Sequence, residues 1–148
     1  MTDVLVLNGP NLGRLGTREP DVYGALDAPA LAATIATWGS ELGLAVEVRQ
    51  TDDEATLVGW LHAAVDARQD VVLNPAAFTH YSYALRDAVA QVTRDGLRLV
   101  EVHLTNPASR ERFRHTSVVA GVATGTIAGF GPDSYRLALQ ALAGTAPG

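Results

Sequence analysis

Side chains able to move a proton or grip a small anion collect in three stretches of this sequence. The first runs from Asn8-Gly9-Pro10-Asn11 to Arg18 and Tyr23. The second is Asn74 followed by Phe78-Thr79-His80. The third is Glu101-Val102-His103-Leu104-Thr105-Asn106, followed by Arg110 and Arg114. Imidazole exchanges protons near neutral pH, and guanidinium grips a carboxylate in a bidentate fork, so this set suits proton transfer on a small polar acid. Glu101 and His103 stand one pleat apart and would share a face of a strand. Two ionisable groups at the end of a buried strand need partners or a task. Taken singly, each feature also has an ordinary explanation. Asn8-Gly9-Pro10 suits a plain turn, Arg18 a solvated loop, Tyr23 a loop anchor and His80 the start of a helix. His62 reads as surface or packing, and His115 gives no reading alone. Their common position is what sets the group apart, and the surrounding elements fix that position.

Short apolar runs alternate with helical patterns. Val4–Leu7 is an apolar run ending at Asn8-Gly9-Pro10, a strand and then a loop. Residues 9–27 hold four glycines and two prolines. A loop of that length in a compact domain is usually functional or disordered, and its Gly-rich part, 13–24, is expected to close over a substrate and carry Arg18 and Tyr23 in. Asp27 suits a helix cap, with Pro29 in the first turn and Gly43 beyond the end. Leu44–Arg49 alternates as a second strand, and Leu57, Trp60, Leu61 and Ala64 mark a second helix. Val71–Leu73 is a third strand; Leu85, Val89 and Val92 a third helix; Leu97–Leu104 a fourth strand; Ala123–Ala128 a short fifth. Tyr135, Ala138, Leu139 and Leu142 form a closing helix. Such alternation implies a parallel sheet with helices on both faces. The expected class is α/β: a flavodoxin-like three-layer αβα fold with a five-stranded parallel sheet in the order 2-1-3-4-5. Ligands bind such sheets beyond the carboxyl ends of the strands, where all three polar stretches fall. The end of the second strand, Gln50-Thr51-Asp52-Asp53, is polar too but could simply cap its helix.

Composition removes several chemistries. The 148 residues fit one domain, 1–148, with 47% hydrophobic and 18% charged residues. A net charge of −5 gives no support to nucleic-acid or anionic-membrane partners. There is no cysteine, so thiolate catalysis and Cys-ligated zinc are out. All 11 basic residues are arginine. Schiff-base catalysis and a P-loop lysine are therefore impossible. No G-x-G-x-x-G follows the first strand, and no histidine spacing suits a metal, so none is expected. Gly129-Phe130-Gly131-Pro132-Asp133-Ser134 could hold an anion at a helix start or form a tight turn. The first residues do not read as a signal peptide and no run spans a membrane, so a cytoplasmic enzyme is the default expectation.

Val6-Leu7-Asn8-Gly9-Pro10-Asn11-Leu12, Leu15-Gly16-Thr17-Arg18-Glu19-Pro20 and Val22-Tyr23-Gly24 together resemble the opening signature of the type II 3-dehydroquinate dehydratases. Ala84-Leu85-Arg86-Asp87, Glu101-Val102-His103, Arg110-Glu111, Phe113-Arg114 and Gly131 through Ala138 sit in order where that family has similar motifs. The resemblance covers nearly the whole chain. It implies a cofactor-free, anti elimination of water from 3-dehydroquinate to 3-dehydroshikimate through an enolate, a hydro-lyase step of the shikimate pathway of aromatic amino-acid and chorismate biosynthesis. It also implies a dodecamer, a tetramer of trimers.

By motif position the resemblance makes Tyr23 the proton acceptor, His103 the donor and Arg18 the transition-state stabiliser. It places Asn11 near the enolate oxygen. Asn74, His80, Asp87, Leu104, Thr105 and Arg114 become substrate contacts, with Arg110 close by, and Asp87 acts across the trimer interface. Glu101 is expected to hold the tautomer of His103. These roles make physical sense. Ionising a tyrosine at pH 7 needs a depression of roughly three units, about 4 kcal/mol. An arginine beside it shifts the equilibrium in that direction. The chain departs from the family pattern at Ala76, where glycine is usual, at Tyr81, at Pro107-Ala108-Ser109 and at Thr51-Asp52-Asp53-Glu54. If position 76 needs positive φ, alanine there is strained. A non-catalytic binding or scaffold domain, or another lyase acting on a related hydroxy-acid ring, are the competing readings.

Overall fold

The computed structural model describes residues 2–16 and 26–144. Five strands carry the fold: β1 (Val4–Asn8), β2 (Val46–Gln50), β3 (Asp70–Asn74), β4 (Leu99–His103) and β5 (Gly125–Ala128). All pair in parallel, in the order β2-β1-β3-β4-β5. Four α-helices accompany them: α1 (Ala28–Glu41), α2 (Glu54–Ala67), α3 (Tyr83–Arg94) and α4 (Asp133–Gly144). The expected class and strand order are those observed.

The strands alternate between two cores. Val4, Val6, Val72, Val100 and Val102 pack with Leu31 and Ile35 of α1 and with Tyr135, Ala138 and Leu139 of α4. Leu5, Leu7, Val71, Leu73 and Leu99 pack with Leu57 and Leu61 of α2 and with Leu85 and Val89 of α3. Each face of the sheet thus has its own pair of helices, which is why the strands read as continuous apolar runs. Leu5, Leu7, Leu73 and Leu99 are at most 1% exposed. Truncating any of them to alanine is worth about 2–5 kcal/mol.

The helices begin and end for local reasons. Asp27 accepts a hydrogen bond from the Ala30 amide at 2.9 Å, with proline in the first turn of α1. Asp53 caps α2 through the Thr56 amide at 2.9 Å, and Ser82 caps α3 through the Leu85 amide at 3.1 Å. Five short 3-10 turns that periodicity did not reveal fill the connections among the described residues, at Leu12–Arg14, Ala76–His80, Pro107–Ser109, Arg112–His115 and Ala120–Val122. The Gly129–Ser134 segment is a tight turn. Its amides at Gly129, Phe130 and Gly131 bond to His103 O, Ser134 Oγ and Leu104 O.

The carboxyl ends of β1 and β3 are clamped together. Asn8 stands in register with Asn74, and the Gly9 amide donates to Asn74 O at 2.8 Å. A Cβ at Gly9 would lie 2.8 Å from Pro75 O, so the two loops approach where only glycine fits. More than a plain turn is therefore at work at Asn8-Gly9-Pro10. No helix among the described residues is long and apolar enough to cross a membrane.

Candidate active site

Beyond β1, β3 and β4 lies a cleft of about 110 Å³. Pro10, Asn11 and Leu12 line it from the first loop, and Asn74, Ala76, Ala77 and His80 from the second. His103, Leu104, Thr105, Pro107, Arg110 and Arg114 line it from the third. The described parts of the three polar stretches converge at the sheet edge where this topology binds ligands.

Its centre is a strand end. Val100, Val102 and Leu104 face one core, so the pleat turns Glu101 and His103 to the other side. Glu101 is wholly buried. His103 Nε2 lies 2.5 Å from Glu101 Oε2. Thr79 donates to the same carboxylate oxygen at 2.5 Å, and Ser117 lies 3.1 Å and 3.2 Å from the two oxygens. Burial pushes the Glu101 carboxyl up, but the bond to and charge of His103, with the Thr79 and Ser117 hydroxyls, hold it below its ordinary 4.5. An ionised Glu101 accepts from the imidazole and orients its ring, as the partner of a proton donor must.

The first loop is fixed by residues first read as possible helix caps. Asn11 adopts a left-handed conformation, φ 69°, which asparagine tolerates. Its amide donates to Asp52 Oδ1 at 2.8 Å, and Gln50 Nε2 donates to Gly9 O and Asp52 Oδ1, both at 3.1 Å. Asp53 is the cap of α2, whereas Gln50 and Asp52 of the same stretch brace the cleft.

Asn74 is tied from beneath. Tyr135 is completely buried, donates to Asn8 Oδ1 at 2.7 Å and accepts from Asn74 Nδ2 at 2.9 Å. Burial raises the Tyr135 pKa far above its usual range, so this hydroxyl is a permanent neutral bridge. Asn74 Oδ1 accepts from the Ala76 amide at 3.1 Å. Ala76 has φ 50°, so the position does take the left-handed conformation that glycine accepts more easily.

His80 bonds through Nδ1 to Thr116 O at 2.7 Å. A carbonyl only accepts, so Nδ1 carries hydrogen. The His80 ring meets Phe113 edge to face at 5.6 Å. Arg110 Nη1 donates to Thr105 Oγ1 at 3.3 Å. Arg114 Nε donates to Glu111 Oε1 at 3.1 Å, and its guanidinium lies 4.7 Å from the Phe113 ring centre. Leu104 packs its side chain into the core. Its backbone is therefore what can meet a ligand.

Asp87 is exposed on α3 and is not among the residues lining the cleft. Arg18 and Tyr23 lie outside the described residues. No group of three or more His, Asp or Glu side chains among the described residues could hold a metal ion. The supporting residues that sequence reasoning passed over are Ser117, Tyr135, Gln50 and Asp52, together with Thr79, noted only as a neighbour of His80. Tyr135 carried a signal, because a tyrosine on the apolar face of a helix needs a partner for its hydroxyl, and Gln50 and Asp52 carried one as a polar strand end.

Residues 2–143 match the model of the Dehydroquinase class II family. The chain belongs to the class II dehydroquinase family. It is 58% identical over 143 residues to a 3-dehydroquinate dehydratase of Salinispora tropica, covering 97% of this chain and 98% of that one. It is 52% identical to a 3-dehydroquinate dehydratase of Thermus thermophilus, covering 96% of this chain and 94% of the other. The solved type II dehydroquinase of Propionibacterium acnes superposes with a TM-score of 0.94 at 53% identity, over 98% of both chains. In this class II dehydroquinase the Glu101–His103 pair lies at the carboxyl edge of the parallel sheet. The scaffold reading loses its support.

Proposed function

We propose that this chain is a type II 3-dehydroquinate dehydratase, eliminating water from 3-dehydroquinate to give 3-dehydroshikimate in the shikimate pathway. The observation that carries the reading is His103, held by a buried carboxylate, in a cleft that also presents Asn11, Arg110 and Arg114, in a chain of this family.

Tyr23, as phenolate, takes the proton alpha to the ketone. Arg18 keeps that phenolate ionised. The electron pair moves into an enolate, with Asn11 near its oxygen. The enolate collapses and breaks the carbon–oxygen bond beta to the ketone while His103 gives its proton, so the leaving group departs as water. Tyr23 then returns its proton to solvent and His103 regains one. Arg110 and Arg114 take the substrate carboxylate; Asn74, His80, Leu104 and Thr105 contact its ring substituents. No lysine exists to form an imine, which separates this route from Schiff-base dehydration. The elimination is anti, residues 1–148 act as one catalytic domain, and no cofactor or metal takes part.

The same reading includes a cytoplasmic dodecamer, a tetramer of trimers, with Asp87 reaching a neighbouring site. Two features support assembly. Tyr81, Tyr83, Phe113 and Phe130 are 57% to 69% exposed, rings of the kind that interfaces between chains favour. The edge strand β5 is flanked by a groove of about 810 Å³ lined by Val100, Ile127, Ala141 and Leu142 among others.

Purified protein given 3-dehydroquinate should produce the absorbance of a conjugated enone, and borohydride should not inactivate it. Absence of product from the pure, assembled protein overturns the reading.

A further inference from the structure

We infer that Thr79 and Ser117 are positioning residues for the proton donor: hydroxyls that can donate in only one direction keep Glu101 an acceptor, and Glu101 then keeps hydrogen on Nε2 of His103. The inference rests on the reading of His103 as the acid of the dehydration. Neither hydroxyl residue lines the substrate cleft. Both line a second cavity, of about 210 Å³, which also reaches Glu101 and His103. They act through Glu101, not on substrate.

The direction follows from counting lone pairs. Ser117 Oγ accepts from the amides of Val119 at 3.2 Å and Ala120 at 2.9 Å. A serine oxygen has two lone pairs, so both are occupied and its own hydrogen must be given away. Its possible acceptors are Thr79 Oγ1 at 2.7 Å and the Glu101 oxygens at 3.1 Å and 3.2 Å. Thr79 in turn donates to Glu101 Oε2 at 2.5 Å. A protonated Glu101 donating to Thr79 would force the Thr79 hydrogen onto Ser117, which has no lone pair left. The chain from amide to Ser117 to Thr79 to carboxylate therefore runs one way, each donor polarising the next.

Hydroxyls aimed at its oxygens favour the ionised form of Glu101, and against an ionised carboxylate the hydrogen at the 2.5 Å contact belongs to His103 Nε2. Nδ1 is left as the nitrogen that gains and releases the mobile proton. The Ser117 anchor is in place because the Val118 amide donates to Thr79 O at 2.7 Å, joining the two segments. The other titratable groups lining the two cavities are His80, His115, Arg110 and Arg114.

Thr79→Val keeps the shape and removes the hydroxyl. In the assembled enzyme its kcat should fall roughly tenfold to a hundredfold, the range for losing a hydrogen bond to a charged group, with KM little changed. The acid limb of the kcat profile should move to higher pH, because Glu101 then takes up a proton more easily. Thr79→Ser should restore both. Wild-type turnover with an unmoved acid limb in Thr79→Val overturns the inference, as does a folded Thr79→Val enzyme whose loss Thr79→Ser does not repair. Should Thr79→Val not fold, Ser117→Ala is read by the same criteria. Nitrogen-15 shifts of the His103 ring test the inference without substrate. The expected result is an Nε2–H tautomer in the wild type and a mixture once the hydroxyl is gone; one tautomer in both overturns it. A wild-type enzyme that makes no enone defeats the functional reading instead, and leaves the ring-nitrogen result standing on its own.

Discussion

The chemistry assigned to His103 depends on the charge of one buried residue. Glu101 is held below its ordinary 4.5 against the opposing effect of burial. A carboxyl with a depressed folded pKa contributes stability that is full above its unfolded value and is lost as pH falls through the folded one. Denaturation midpoints measured from pH 7 down through the carboxylate range should therefore fall less steeply in Glu101→Gln than in the wild type. Identical slopes would show that Glu101 is not ionised in the folded protein. At Ala76 the φ of 50° makes a second residue-scale prediction. Ala76→Gly should raise stability by about 1 kcal/mol in chemical denaturation, since the left-handed conformation costs alanine that much more than glycine. A loss of stability would place the strain elsewhere. The pairing of Glu101 with His103 was legible because strand periodicity fixes which side chains share a face. Thr79 and Ser117 were not, because their meeting is made by folding a segment far along the chain back onto β4.

Elements decide whether the cleft keeps its shape. The ends of β1 and β3 are joined by register, by the Gly9 amide and by the Tyr135 hydroxyl lying between Asn8 and Asn74. Tyr135→Phe would leave two buried amide groups short of a partner. A loss of about 1–3 kcal/mol in unfolding free energy is expected, with a further loss of turnover as Asn74 is released. Unchanged stability and turnover would mean the bridge is idle. At this scale the sequence was most informative. Every strand and every α-helix followed from alternating apolar runs and capping residues, whereas the strand order was suggested only by the count of five strands in a fold of this class and not by the residues themselves. What it did not reveal were the short 3-10 turns, whose three to five residues are too few for periodicity. It also left open the division of labour in Gln50-Thr51-Asp52-Asp53, where adjacent aspartates face opposite ways, one to α2 and one to the Asn11 loop.

At the scale of the molecule, the roles of Arg18, Tyr23 and Asp87 rest on resemblance to a family alone. Arg18 and Tyr23 lie outside the described residues, and Asp87 sits apart from the cleft of its own chain. A neighbouring copy would bring Asp87 to a site, so light scattering should give twelve times the chain mass of 15.6 kDa; a monomer would remove the basis for that role. The missing lysines belong to this scale as well, since a chain without a lysine amine cannot take the lysine Schiff-base route. The central claim is that His103 supplies the proton that lets water leave. The most direct test is the rate of enone formation from 3-dehydroquinate by wild type and His103→Asn under saturating substrate. The account predicts a wild-type rise in absorbance and a variant slower by about 10²–10⁴-fold while still folded. Wild-type turnover in His103→Asn would contradict it.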